Sequence, residues 1–347
     1  MNPKISVIMP MYNVEKYVGL AIQSLLDQTF EDFEAIFIDD CGPDKSFEIA
    51  KSFNDPRLKV IQNEKNLGAT GTRNHGLELA TGKYIYFLDS DDAMLSNCLE
   101  LLYNAAENAQ ADVATSLISY HAKDSEFQTL KNLKCNPIKY NNGIITKVSD
   151  DLKTRIMNEY ADRKMHCAVW LSLFKKSLFD GEIDKIRFRN FAVADDDYFL
   201  CDILCATSKV VKIDKPVYVY RPREGSISKS EDFKRIGKYL NAIMDGEDFL
   251  KEKLLPLTND PLFVENVNLK VAQRLFKFFL MNYFKKDPSM VAKEFYETLR
   301  NSDKDHSVFF TTMMIGFLQR SVLLDENSNY KAALRIIKAN INKLTTL

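Results

Sequence analysis

Asp89-Ser90-Asp91-Asp92 follows directly on the apolar run YIYFL at 84–88. A β-branched and aromatic run of that length reads as a buried strand. Ending it on an acidic turn places carboxylates at the carboxyl edge of a sheet, where open α/β folds bind ligands. Two hard oxygen donors held close together suit Mg²⁺ or Mn²⁺, and such an ion suits a diphosphate. Two upstream runs end in similar turns: ISVIM leads into Pro10-Met11-Tyr12-Asn13, and EAIFI into Asp39-Asp40-Cys41-Gly42-Pro43-Asp44. An aromatic face can stack on a base, and a carboxylate can accept an N–H from a uracil-like ring. Each group also has a plainer reading. Tyr12 could sit in a capping turn, Asp39 and Asp40 could begin the next helix, and Asp92 or Ser96 could cap the helix after the acidic turn. Their joint occurrence at successive strand ends favours a binding edge.

Between these turns lies Asn66-Leu67-Gly68-Ala69-Thr70-Gly71-Thr72-Arg73-Asn74. It lacks a Walker lysine, and no GxGxxG follows the first strand, so it is a poor match to either nucleotide loop. Arg73 near a helix N-terminus does suit an anion. Further on, Asp195-Asp196-Asp197 opens a helical pattern. Three adjacent acids complement a helix dipole, and their mutual repulsion can also raise one pKa.

The elements that must position these residues alternate. Strand patterns at 5–9, 34–39, 58–61, 84–88 and 112–118 are separated by helical patterns at 15–28, 45–53, 69–80 and 96–109, with Gly82 as a candidate left-handed helix cap. The pattern weakens over 121–168 and resumes with VWLSLF, a helix over 197–206 and short strands near 209–213 and 217–220. Beyond about 231 it is helical throughout. The 347 residues suffice for two domains. A net charge of −1 gives no field directed at nucleic acid. Cys41, Cys98, Cys135, Cys167, Cys201 and Cys205 form no CxxC pair, which suggests reduced thiols and a cytoplasmic protein. The first strand pattern begins close to Met1, so no signal peptide is expected, and no apolar run reaches the length of a membrane span.

Together, PMYN, IDD-x-G-x-x-D, NLG-x-x-x-x-RN-x-G and YIYFLDSDD resemble the inverting family 2 glycosyltransferases of bacterial surface-polysaccharide type. The resemblance covers residues 4–118 closely. It implies the GT-A nucleotide-diphospho-sugar fold, α/β with a mostly parallel Rossmann-like sheet, to which the helical pattern beyond 231, outside the resemblance, adds a mainly helical C-terminal extension. The implied division is a catalytic domain over 1–230 (nucleotide-sugar half 1–118, acceptor half 119–230) and a helical region over 231–347. Tyr12 and Asp40 would match the base-binding positions, with Asp39 beside them and Pro10, Asn66, Gly68 and Ser90 flanking. Arg73 would contact the nucleotide. Asp89 would face the ribose or the metal, and Asp91 would hold the Mn²⁺ or Mg²⁺ that bridges the two phosphates. Trp170 would line the acceptor pocket. Asp196 would be the general base, with Asp195 and Asp197 as open alternatives. Tyr218 to Ser228 resembles a loop that closes over the diphosphate, with Arg221 or Arg223 as a forked phosphate clamp where family members often have histidine.

These readings imply a metal-dependent inverting transfer from a nucleotide sugar, most simply a UDP-sugar, to a saccharide or lipid-linked saccharide. The competing readings are a sugar nucleotidyltransferase, which would need a basic glycine-rich signature after strand one, and a non-catalytic sugar-nucleotide or glycan-binding module. The apolar stretches 271–286 and 309–318 suit a helical bundle. They also leave open a peripheral contact with the inner face of the plasma membrane, or a homodimer surface.

Overall fold

The protein was analysed as a computed structural model, which describes residues 2–122, 126, 146–181, 185–190, 195–222, 235–284 and 297. The chain divides into two compact units, residues 1–190 with 195–226 and residues 191–194 with 227–347.

In the first unit, eleven strands are described: β1 Ile5–Met11, β2 Phe33–Asp39, β3 Leu58–Gln62, β4 Tyr84–Phe87, β5 Ala93–Met94, β6 Val113–Ser116, β7 Ser119–His121, β8 Thr146–Lys147, β9 Ser172–Lys175, β10 Val210–Ile213 and β11 Tyr218–Tyr220. The main sheet has the order β3-β2-β1-β4-β9-β6-β10-β8, and a smaller sheet has the order β5-β11-β7. Strand β1 is parallel to both β2 and β4, with Ile5 in register with Phe33 and with Tyr84. Helices cover it on both faces, so nearly every β1 residue is buried, as a central parallel strand requires. The mostly parallel sheet expected from the sequence is present. Its exceptions are β9, antiparallel to β4 and β6, and β8, antiparallel to β10. Because β9 joins the sheet from a distant segment, the local alternation of strand and helix could not reveal it.

The helices of this unit are α1 Val18–Leu26, α2 Ser46–Lys51, α3 Gly68–Leu79, α4 Cys98–Ala109, α5 Leu152–Arg155 and α6 Asp195–Ala206. In α4, buried Cys98, Leu99, Leu102, Ala105 and Ala106 form one apolar stripe, and Gln110 ends it in the left-handed conformation. Helix α3 lies so close to β1 that a Cβ on Gly76 would stand 2.3 Å from Ile8 Cγ2.

One local expectation is corrected, and one of the plainer readings is set aside. Gly82 is not a helix cap: α3 ends at Ala80 in extended conformation, and Gly82 is needed because a Cβ there would lie 2.6 Å from Ser6 N. Neither Asp92 nor Ser96 caps α4, whose N-cap position is Asn97 without a side-chain bond. Asp92 instead accepts from the backbone N–H of Arg221.

At the amino ends of these strands, buried Glu34 accepts from Ser6 Oγ (2.7 Å), Lys59 Nζ (2.6 Å) and both Thr81 N (2.8 Å) and Thr81 Oγ1 (2.7 Å). Burial alone would raise this carboxyl, but the surrounding donors outweigh it and hold it at about 2.

The second unit contains α7 Arg235–Thr258 and α8 Pro261–Phe284. Asn259 turns the chain in the left-handed region (φ 46°), the Asp260 carboxylate accepts from Phe263 N, and Pro261 occupies the first helical position. Buried Val264, Val267, Asn268, Val271, Ala272 and Leu275 recur at helical spacing, as packing on α7 demands. The start of the apolar stretch 271–286 is thus core, and 309–318 lies outside the described residues. Among the described residues, no helix is long and apolar enough to cross a membrane.

Candidate active site

The carboxyl ends of β1, β2 and β4 form one edge. Asp40 N donates to Met11 O (2.9 Å), Asn63 N to Asp39 O (2.8 Å) and Leu88 N to Ile8 O (3.0 Å). Two turn residues on this edge, Asn13 (φ 54°) and Cys41 (φ 57°), adopt the left-handed conformation. Tyr12 presents its ring to solvent, 51% exposed.

Asp39 and Asp40 are both buried but differ in what they hold. Asp40 Oδ1 accepts from Leu67 N (2.7 Å) and Asn63 Nδ2 (2.8 Å), and Oδ2 accepts from Gly68 N (2.8 Å). Its carboxylate therefore sits at the positive end of α3 and satisfies the first donors of that helix. Asn66 completes the cap, donating to Asp40 O and accepting from Gly68 N. Asp39 Oδ2 accepts from Gly42 N (3.2 Å) and Gln62 Nε2 (2.9 Å), while its Oδ1 carries no hydrogen bond among the described residues.

This anchoring sets Arg73 under the acidic turn. Its Nη2 donates to Asp89 Oδ1 at 2.9 Å, and its Nη1 lies 3.6 Å from Asp195 Oδ2 and 3.7 Å from Asp196 Oδ1. Phe188 covers the guanidinium at 5.3 Å, and Nε has no hydrogen-bond partner among the described residues. One arginine thus joins carboxylates more than a hundred residues apart in sequence. The three adjacent aspartates separate in role. Asp195 and Asp196 face Arg73, whereas Asp197 is buried against Arg163, with Nη1 to Oδ1 at 2.6 Å and Nη2 to Oδ2 at 3.4 Å. Arg163 reaches it from a left-handed position (φ 59°) just after a π-helix, Ile156–Ala161, which the buried Glu159–Lys212 ion pair anchors (2.8 Å).

The acidic turn is held from behind. Arg221, read from the sequence as a clamp on a mobile loop, is 4% exposed; its N donates to Asp92 Oδ1 and its Nε to Asp91 O, both at 2.7 Å. Arg223 lies outside the described residues. Asp89 N donates to the hydroxyl of buried Tyr218 (3.2 Å), whose ring stacks on Trp170 at 4.2 Å. Arg163 is the member the sequence did not single out; Asp92 was read only as part of the acidic turn and a possible helix cap, and Tyr218 only as the start of a closing loop. The short spacing from Tyr218 to Arg221 was the one available signal.

Burial and mutual repulsion push these acids upward. Burial raises Asp196 well above the carboxylate range, with Asp195 adding and Arg73 opposing. Asp195 and Asp89 are raised by burial against the pull of Arg73. Burial, then Asp89 and Asp91, push Asp92 up to about 9. Asp92 Oδ2 is buried without a hydrogen-bond partner among the described residues. Hard oxygen donors, crowded charge and this orphaned oxygen suit a divalent cation. No three His, Cys, Asp or Glu side chains among the described residues form a ready-made cage.

Residues 6–181 match the family described as glycosyl transferase family 2. The chain belongs to that family. As a family 2 glycosyltransferase it is 32% identical over 239 residues to the glycosyltransferase GlyG of Streptococcus pneumoniae, covering 67% of this chain and 75% of the relative. It is 41% identical over 97 residues to WfgD of Escherichia coli, named a UDP-Glc:α-D-GlcNAc-diphosphoundecaprenol β-1,3-glucosyltransferase. That match covers 28% of this chain and 38% of WfgD. The fold matches residues 1–349 of S. aureus TarS in complex with UDP-GlcNAc, with a TM-score of 0.65, 19% identity, and coverage of 97% of this chain and 92% of that one. This family 2 glycosyltransferase accordingly has the GT-A fold with a helical C-terminal region.

Proposed function

We propose that the enzyme moves a sugar from a UDP-sugar to a saccharide hydroxyl in bacterial surface-glycan assembly, with inversion at the anomeric carbon. The observation that carries this reading is the Arg73 bridge, which gathers Asp89, Asp195 and Asp196 at one edge. The bound donor of TarS and the named reaction of WfgD support the donor class and the setting.

Tyr12 offers a stacking face for the base, and Asp39, through its uncommitted Oδ1, is better suited than Asp40 to accept the ring N–H. Asp91 and Asp89 would hold a Mn²⁺ or Mg²⁺, which when bound supplies charge neutralisation at the departing diphosphate. Asp196, in its ionised form, takes the proton from the acceptor hydroxyl as that oxygen bonds to the anomeric carbon from the face opposite UDP. The bond from that carbon to the phosphate oxygen breaks, and UDP leaves with the electron pair. Asp195 is the alternative base. Asp197 is the weakest of the three, because Arg163 already neutralises it.

The test is a UDP-release assay over a panel of UDP-sugars with Mn²⁺, with and without saccharide acceptors. Asp196→Asn is expected to lower turnover by about 10³-fold, within the usual range for a lost general base. UDP–Mn²⁺ affinity, measured by calorimetry, should stay within about twofold, less than 0.5 kcal/mol. Loss of nucleotide binding in this variant would misplace the base. If no donor is turned over with any acceptor, the binding-module reading prevails.

A further inference from the structure

A second set of converging side chains lies next to the acidic turn. The Trp170 indole is stacked within 17° of Tyr218 at 4.2 Å and within 16° of Tyr220 at 6.1 Å. Two histidines from separate segments extend the set: His121 packs on Tyr220 at 5.2 Å and His166 on Trp170 at 6.2 Å. The parallel register of β11 with β7 puts Tyr220 opposite His121 and therefore on the same sheet face. Tyr218 is buried and Trp170 nearly so, whereas Tyr220 is half-buried and both histidines are exposed. Rings stacked in the core usually need no explanation, but here the stack carries its polar rings out to solvent.

The backing is rigid and joined to the donor edge. Tyr86 Oη donates to the Trp170 carbonyl at 2.5 Å, and the Tyr218 hydroxyl accepts from Asp89 N. His166 Nδ1 accepts from Ala168 N (3.0 Å), so the neutral ring carries its proton on Nε2, a donor free for a hydroxyl. Flat apolar faces edged by N–H and O–H groups match a pyranose, which has a C–H face and a rim of hydroxyls.

We propose that Tyr220, His121 and His166, backed by Trp170, form the acceptor subsite and bind a hexopyranose ring by its C–H face. Tyr218 sets the distance between that ring and the acidic turn. This rests on the glycosyltransferase reading and adds the acceptor's chemical class and location.

Trp170 is the sole tryptophan of the chain, so its emission reports on this face alone. The full-length protein with UDP and Mn²⁺ is titrated with the methyl glycosides of glucose, galactose and N-acetylglucosamine, and with ribitol 5-phosphate as a non-pyranose comparison. A saturable change in emission with at least one glycoside, and none with ribitol phosphate, is expected. Tyr220→Leu and His121→Ala should each weaken that binding about 5- to 10-fold, the size of a lost aromatic contact. Tyr220→Leu keeps an apolar side chain on β11, and the exposed His121 can be removed without opening the core. The proposal is overturned if no glycoside changes the emission at about 100 mM, where even very weak saccharide sites fill. It is also overturned if both variants respond like the parent. Calorimetry of UDP–Mn²⁺ on the same samples keeps the two readings apart. Failure to bind UDP beside an intact saccharide response would overturn the transferase reading and leave the saccharide subsite standing.

Discussion

At the amino edge of the main sheet, Glu34 is a single buried carboxylate ringed by donors from Ser6, Lys59 and Thr81. At the carboxyl edge, Asp89, Asp195 and Asp196 share the one guanidinium of Arg73, and Asp92 keeps an unpartnered oxygen. The same strands serve both ends. One end lowers a carboxyl pKa and strengthens the fold; the other raises several and strains it. Under the proposed function such frustration has a use, because the missing positive charge would arrive with the substrate.

Removing a carboxylate should therefore destabilise at the amino edge and stabilise at the carboxyl edge, and removing the shared counter-charge should cost most. The largest effect is expected from Arg73→Met, which leaves three carboxylates facing one another without a counter-charge. Removing one partner of a buried ion pair costs about 3–5 kcal/mol, and urea unfolding should register a loss near the lower figure. An unchanged urea midpoint would show that the edge does not depend on this bridge.

Glu34→Gln comes next and should destabilise by about 1.5–3 kcal/mol, the net value of a hydrogen bond to a charged group. Its folded pKa is lowered to about 2 from 4.5. Its contribution is thus fully present above about pH 4.5 and lost as the pH falls through 2. The stability gap between parent and variant should be constant near neutrality and close on acidification. A gap that widens toward pH 2 would reverse the sign assigned to this network.

Asp92→Asn, at the opposite edge, should stabilise the metal-free protein by about 1 kcal/mol. With its carboxyl pushed up to about 9, Asp92 must take up a proton on folding at neutral pH; Asn removes that cost while its remaining oxygen still accepts from Arg221 N. Differential scanning calorimetry with EDTA reads this as a higher melting temperature; a lower one would break the contrast between the edges. Smallest is Cys41→Gly, which relieves a left-handed backbone at φ 57° and should gain about 0.5 kcal/mol by urea titration. A loss instead would mean that the Sγ–H bond to Asn63 O outweighs the backbone strain.

Much of this was readable in the chain. The apolar runs at β1, β2 and β4 and the polar turns that end them are local patterns, because a strand buried on both faces admits little but apolar side chains. The acidic turn and the strand-end aspartates followed from those runs. Residues 121–168 were harder. Strands β7 and β8 are three and two residues long, and the π-helix depends on the buried Glu159–Lys212 pair. Neither has a periodicity to detect. Gly82 illustrates the same limit. A glycine after a helix suggests a cap, yet its need for close contact with Ser6 is set by a strand 76 residues away.

By itself, the sequence determined strands β1 to β4 and β6, where their acidic turns fall and which family the motifs resemble, since each rests on residues adjacent in the chain. Only the tertiary structure decided how those acids divide their work. Asp40 could have begun the helix that follows it; instead it caps α3, some twenty-eight residues on, and Asp39 keeps a free oxygen. Asp195, Asp196 and Asp197 are equivalent as letters, but the turn of a helix sends two toward Arg73 and one toward Arg163. A carboxylate's role follows from the charge and hydrogen bonds around it, and those neighbours come from distant parts of the chain.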